Sequence, residues 1–409
     1  MLATLIFLIG FPARAAIRFD MFVGYDSALP QGSWMPATFE VFNDGVPFTA
    51  ILEVWPGRLA SPGQTRSMIV ELPKGTTKRF IIPVYNPVSS WNSEWNARLL
   101  DEKHRERAVA QTPRLRIQNP GTPLAGAVSR HPPALPEPRS PSTDTQPRIA
   151  RIQHLFFPDN PIALQGLDSL YVSSEKLFDL TAGQANAIMA WLHAGGHLII
   201  SVEQINHFNG PGEWMRRMLP AEVTSLGTTG DHAALQSWIT SRKRFDGRDY
   251  SYTGSTRPGR TIAANTSLNP WENLSQDVNF ESAPMQVATL KLRDGKVLIG
   301  SDAQPLAVIA RRGRGQITML AFAPELEPFK SWKNAPEFWA KMTDIPPAQV
   351  DNPNYNQNVQ GRSMDGVFGA MMDSDQVRKL PVAWLLLLLL AYLAVIGPLD
   401  QYWLKKINR

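Results

Sequence analysis

Cysteine is absent from the 409-residue chain. That excludes a disulfide framework, thiolate-bound zinc, a thiol nucleophile and a lipid-modified cysteine. Charge of one sign is scarce too: 41 Lys and Arg stand against 36 Asp and Glu, a formal net charge of +5. The excess is spread along the chain and not gathered in a block, so no nucleic-acid partner is expected. Charged residues amount to 19%, below the roughly 25% of an average soluble protein. Apolar residues, by contrast, reach 43%, enough to bury real cores, and the length corresponds to two or three domains.

Long apolar runs occur only at the ends. Residues 2–11 (LATLIFLIGF) are too short to cross about 30 Å of hydrocarbon as a helix. The small-residue pattern Ala13-Arg14-Ala15 follows, so residues 1–15 read as a signal peptide, although no Lys or Arg precedes the run. Residues 380–399 (LPVAWLLLLLLAYLAVIGPL) carry no charge, and Tyr402 and Trp403 sit where an interfacial aromatic belt would. A transmembrane helix is therefore expected over residues 380–404, from Leu380 to Leu404, embedded in the lipid bilayer, with residues 405–409 as a short cytoplasmic tail. The expected location is a bacterial inner membrane, crossed once, with the body outside the cytoplasm.

Residues 16–114 have a β pattern. Runs at 17–24, 37–43, 46–55, 67–72 and 77–85 are β-branched or aromatic, and turn residues separate them. Asp44-Gly45 predicts a hairpin and Pro73-Lys74-Gly75 another turn, and the spacing predicts an immunoglobulin-like β-sandwich. Residues 131–147 are proline-rich and form a loop that cannot pack as an element. The stretch before it, 124–129, suits a short buried strand, so this loop belongs within a second domain spanning 115–345. There, 149–157 and 167–173 suit buried strands and 181–193 a helix capped by Thr181. Gly195-Gly196 ends that helix and 197–202 is the next strand, which together predict a parallel βαβ unit. Strands at 285–293, 296–300, 306–311 and 316–323 follow as a meander turning at Asp294-Gly295 and Gly313-Arg314-Gly315. Residues 346–379 read as a polar juxtamembrane linker.

Residues 167–203 combine an apolar strand, a Leu-Thr-x-x-Gln helix start, an alanine–tryptophan helix, Gly-Gly and a second apolar strand. This pattern resembles a module of bacterial envelope proteins with a class I glutamine amidotransferase-like fold. The stretch 313–324 (GRGQITMLAFAP) looks like that module's closing strand. The resemblance covers about residues 115–344 and implies a flavodoxin/glutamine amidotransferase-like α/β domain. Related modules occur in membrane-anchored proteins of unknown function and in auxiliary subunits of ABC-type transport systems. The enzymes of that fold use a cysteine in a Gly-x-Cys-x-Gly elbow with His and Glu partners. Here the turn after 198–200 reads Ser201-Val202-Glu203-Gln204, with neither cysteine nor flanking glycine.

Ser201 and Glu203 end a parallel strand, where open α/β sheets place ligands, and with Asp302 they form the candidate cleft. A serine nucleophile there needs a histidine base that no sequence position determines. His193 and His197 have the spacing of a helical metal pair, but Gly195 and Gly196 interrupt the helix between them. The run 311–315 (RRGRG) reads as a basic hairpin turn, and Trp34, Trp55, Trp91 and Trp95 as sandwich core ahead of a glycan platform. The expectation is a multidomain chain, α/β plus all-β. It has no catalytic residue, cofactor or metal, and serves as a binding or scaffold protein with an envelope protein as possible partner. An accessory or substrate-sensing subunit of an ABC-type transporter, and a hydrolase using Ser201 and Glu203, are the alternatives.

Overall fold

A computed structural model describes residues 17–60, 63–87, 93–113, 115–137, 146–209, 213–241, 243–244, 269, 271–345, 386–387, 389–390, 392 and 400–407. The first strands are β1 (Ile17–Val23), β2 (Ala28–Pro30), β3 (Ser33–Asn43), β4 (Phe48–Pro56), β5 (Arg66–Leu72), β6 (Thr76–Asn86), β7 (Trp95–Leu100), β8 (Glu106–Gln111) and β9 (Arg116–Gln118). They make an antiparallel sheet in the order β1-β3-β6, a second in the order β5-β4-β7-β8, and a short parallel pair β2-β9. Period-two alternation decides what each face does. In β1, Phe19, Met21 and Val23 are buried while Arg18, Asp20 and Phe22 are exposed. Ala50, Leu52 and Val54 of β4 and Trp95, Ala97 and Leu99 of β7 turn into the same core.

The hairpin predicted at Asp44-Gly45 is a crossover between sheets instead, and so is the turn at Pro73-Lys74-Gly75. Asp44-Gly45 leads from β3, which pairs with β1 and β6, to β4, which pairs with β5 and β7. Pro73-Lys74-Gly75 returns from β5 to β6 across the same gap. Buried Asn43 is the reason the two cross together. Its Nδ2 donates to Leu72 O (2.9 Å), its Oδ1 accepts from Gly45 N (2.9 Å) and its backbone O accepts from Gly75 N (2.7 Å).

The chain continues through β10 (Leu124–Val128), β11 (Arg148–Arg151), β12 (Ser169–Ser173), α1 (Ser174–Phe178), α2 (Ala182–Ala194), β13 (His197–Ser201), α3 (Asn206–Asn209), α4 (Glu213–Met218), β14 (Ala221–Thr229), α5 (Ala234–Thr240), α6 (Val278–Ser282), β15 (Met285–Leu292), β16 (Lys296–Gly300), β17 (Pro305–Arg312), β18 (Gly315–Leu320) and α7 (Ala335–Met342). One sheet has the order β11-β10-β12-β13-β18-β17-β16, and β14 pairs with β15 apart from it. The first five strands of that order are parallel, while β17 and β16 run antiparallel to their neighbours. β12, α2 and β13 form the βαβ unit. Thr181 Oγ1 accepts from Gln184 N (3.3 Å) and Gln184 Oε1 from Thr181 N (3.0 Å), a reciprocal cap. Gly195 ends α2 at φ 134°, a conformation that suits glycine. The turn Gly313-Arg314 joins β17 to β18. Asp294-Gly295 is not a hairpin, because β15 pairs with β14 and β16 with β17. The proline-rich loop links the adjacent parallel strands β10 and β11. Its described part, up to residue 137, lays Leu135 against the core.

The two parts share a seam within one compact unit. Tyr25 Oη donates to Ala163 O (2.5 Å) and Gly166 N to Trp34 O (3.1 Å).

Three expectations are corrected. A flavodoxin/glutamine amidotransferase-like α/β domain needs helical crossovers covering its sheet. Here strand outweighs helix among the described residues and lies in several sheets, the β10–β11 link is the proline-rich loop, and the β13–β18 connection carries a separate strand pair. The transmembrane helix is the second: among the described residues no helix is long and apolar enough to cross a membrane. The helix described at that end, α8 (Asp400–Ile407), has eight residues and carries Asp400, Lys405 and Lys406. At 1.5 Å per residue it spans about 12 Å against the roughly 30 Å required. The third is the single-pass inner-membrane placement in an envelope, which rested on that helix and falls with it. Residues 1–15, the linker 346–379 and most of 380–399 lie outside the described residues.

Candidate functional site

The connection from β10 runs to β11 on one side, and the connection from β12 runs to β13 on the other. Parallel strands whose links diverge leave a crevice at their carboxyl ends, the usual place for a ligand in such sheets. Arg130 follows β10, Ser174 and Glu175 follow β12, Ser201 ends β13 with Glu203 just beyond it, and Glu325 lies past the end of β18.

These groups form three neighbouring clusters. Tyr171 Oη lies 3.0 Å from Ser201 Oγ and donates to Glu325 Oε1 at 3.4 Å. Arg130 Nε pairs with Glu175 Oε2 at 2.6 Å. Ser174 Oγ accepts from Glu203 N (3.1 Å) and meets His207 Nδ1 at 3.0 Å. Ser174 opens α1 and is fully buried, and its hydroxyl bridges two loops. A nucleophile must instead reach a substrate.

Charge is unbalanced. Glu175, Glu203 and Glu325 gather around Arg130, with Lys176 beside Glu175 at 3.5 Å. Burial, then repulsion from Glu203, raises the Glu325 carboxyl above the ordinary range. The hydrogen bond from Arg130 holds Glu175 below that range. Burial pushes the Tyr171 phenol well up, and the Glu325 charge adds to it. Beside the clusters opens a cavity of about 310 Å³, walled by Pro132, Pro133, Tyr171, Glu325, Trp332 and Trp339. Trp339 stands edge-on to Tyr171, ring centres 4.8 Å apart. The described piece of the proline-rich loop is thus one wall of the cavity.

Two of the three predicted cleft residues, Ser201 and Glu203, lie in this crevice. Asp302 does not join them. It is exposed in the loop after β16, on the same sheet edge but three strand spacings, about 14 Å, from β13. Sequence reasoning missed Arg130, Tyr171, Glu175, His207 and Glu325. Glu175 had a signal in its place directly after a buried strand, whereas the short helix α3 brings in His207 and the loop after β18 brings in Glu325.

The other candidates have structural tasks. His197 Nε2 lies 2.9 Å from Thr318 Oγ1 inside the sheet, and the His193 backbone O accepts from Arg314 N (3.0 Å). No group of three or more metal-ligating side chains occurs among the described residues. Trp95 and Trp55 are buried in the sandwich, Trp34 packs on Tyr85 at 5.6 Å, and Trp91 lies outside the described residues.

Residues 16–118 match a domain family of unknown function, DUF8726, a span well short of half the chain. No curated protein matches. Among solved structures, a cytoplasmic protein from Salmonella typhimurium is 11% identical over 55% of this chain and 98% of that one, with a TM-score of 0.33. The CARDB domain of a Pyrococcus furiosus protein, in complex with di-metal ions, is 13% identical over 25% and 94%, with a TM-score of 0.20. A Niemann-Pick type C2 protein from the Japanese carpenter ant is 7% identical over 26% and 96%, with a TM-score of 0.18. Similarity at this level carries no argument about function.

Proposed function

We propose that the chain is a binding or scaffold protein without catalytic machinery, and that its ligand occupies the crevice at the carboxyl ends of β10, β12, β13 and β18. One observation carries this reading: the polar side chains there are held in hydrogen-bonded clusters, while an aromatic and proline-walled cavity opens beside them. Ser201 is 1% exposed, and its hydroxyl is engaged by the Tyr171 phenol and not by a histidine base. Pockets that bind small molecules are mostly apolar with a few fixed polar groups, and this one fits that description. Glu325 is the one carboxylate lining the cavity, with Lys330 and Lys333 also in its lining, so the ligand's apolar body fills the cavity against Trp332 and Trp339 while a hydrogen-bond donor such as an amine meets Glu325.

Thermal-shift titration of the full chain with a panel of arylalkylamines tests the proposal. At least one amine should raise the melting temperature, with the shift lost in Glu325→Gln and reduced in Tyr171→Phe. Turnover of esterase, amidase or glycosidase substrates that disappears in Ser201→Ala would instead establish the hydrolase.

A further inference from the structure

The cavity beside Tyr171 is bordered by charges of both signs, and the positive ones are in excess. Its lining holds one carboxylate, Glu325, and two ammonium groups, Lys330 and Lys333, with His131 as a further cation when protonated. Both lysines and the carboxylate come from one short stretch after β18. Leu326 O accepts from Lys330 N (3.0 Å) and Phe329 O from Trp332 N (3.1 Å), which winds the stretch into a tight turn around Phe329–Ser331. Phe329 and Trp332 are buried and anchor that turn in the core, while Lys330 and Lys333 stay exposed at the cavity. Among the described residues neither lysine is neutralised by a carboxylate. Lys333 Nζ donates to Ser275 Oγ (3.2 Å) and Gln276 O (2.9 Å), which hold it in place without cancelling its charge. The Lys330 ammonium has no partner among them.

A simple amine leaves part of this lining unanswered. Its ammonium gains Glu325 but stands in one small cavity with two lysine charges that repel it. A simple acid has the reverse fault, because it meets the lysines and sets its own carboxylate against Glu325. A ligand with both groups gives each charge in the lining a counterpart, and a charge-assisted hydrogen bond at either end fixes its orientation. Between those ends the walls are Trp332, Trp339 and prolines, broad apolar surfaces suited to a flat ring. We propose that the ligand of this cavity is amphoteric: an ammonium and a carboxylate joined on an aromatic or large apolar frame, the chemistry of an aromatic amino acid. This rests on the crevice being the binding site, and adds the anionic half of the ligand with Lys330 as the residue that recognises it.

Calorimetric titration of the full chain at low salt tests this with tryptophan, tryptamine and indole-3-propionate, the last two lacking the carboxylate and the amine in turn. Tryptophan should bind about tenfold more tightly than either. Lys330→Met, at an exposed position, should remove most of that advantage over tryptamine without weakening tryptamine itself, and circular dichroism should not change. Lys291→Met removes the same charge from the exposed face of β15 and should leave all three affinities as they were. Glu325→Gln should weaken tryptophan and tryptamine but not indole-3-propionate. Tryptamine binding as tightly as tryptophan overturns the amphoteric ligand and leaves the amine site standing. Indole-3-propionate binding as tightly as tryptophan, or equal losses in the two lysine variants, also overturns it. No binding of any of the three overturns the crevice as the binding site along with it.

Discussion

At the scale of single residues, the buried titratable groups set how the fold responds to pH. His197 is 6% exposed between neighbouring strands, and burial lowers its imidazole to about 3 from an ordinary 6.5. The unfolded chain therefore takes up the proton first. The contribution of neutral His197 is complete above pH 6.5 and declines toward pH 3, at about 1.4 kcal/mol per pH unit at most. Urea midpoints between pH 7 and pH 4 should fall, and fall less in His197→Gln; equal slopes would remove His197 as the cause. Lys341 is 1% exposed. Its Nζ donates to the carbonyls of Trp238, Ile239 and Ser241, tying the end of α5 to α7, while burial draws the ammonium down to about 7. Lys341→Met leaves those carbonyls without their donor and should cost about 2 kcal/mol in chemical denaturation. Neither burial was legible beforehand, because one His or Lys in a sequence does not announce which face it occupies.

At the scale of elements, local chemistry and close approach make different demands. Thr181→Ala removes one half of the cap on α2 and should cost about 1 kcal/mol. Gly315 is stricter: a Cβ there would lie 2.0 Å from Leu192 O and 2.3 Å from Gly196 O, both backbone atoms. Gly315→Ala should force the β17–β18 turn off the end of α2, at about 3 kcal/mol, and thermal unfolding measures it. The cap, the glycine stop and the turn at Gly313-Arg314 follow rules spanning four or five residues, so the sequence located them. Asp44-Gly45 obeys the same local rule and still joins two sheets, because buried Asn43 binds Leu72 and Gly75 across the gap. That contact is 29 residues away in sequence and leaves no local trace.

At the scale of the whole molecule, the seam decides whether the sandwich and the mixed sheet unfold together. Gly166 sits where a Cβ would lie 2.7 Å from Pro30 Cγ and 3.0 Å from Tyr25 Cε2. Gly166→Val should pry the two parts apart and split a single calorimetric transition into two. A single transition at lower temperature would mean that the parts are coupled elsewhere. The sequence by itself determined the absence of thiol chemistry, the alternation that buries one face of strands such as β1 and β5, and the β12–α2–β13 unit with its caps. It also put Ser201 and Glu203 at the end of a parallel strand. Only the tertiary structure decided that Asp302 stands apart from them and that Tyr171, Arg130 and Glu325 complete the crevice. The reason is range: propensity, capping and period act over a few residues, while strand order and sheet choice come from side chains far apart in the chain competing for the same buried space.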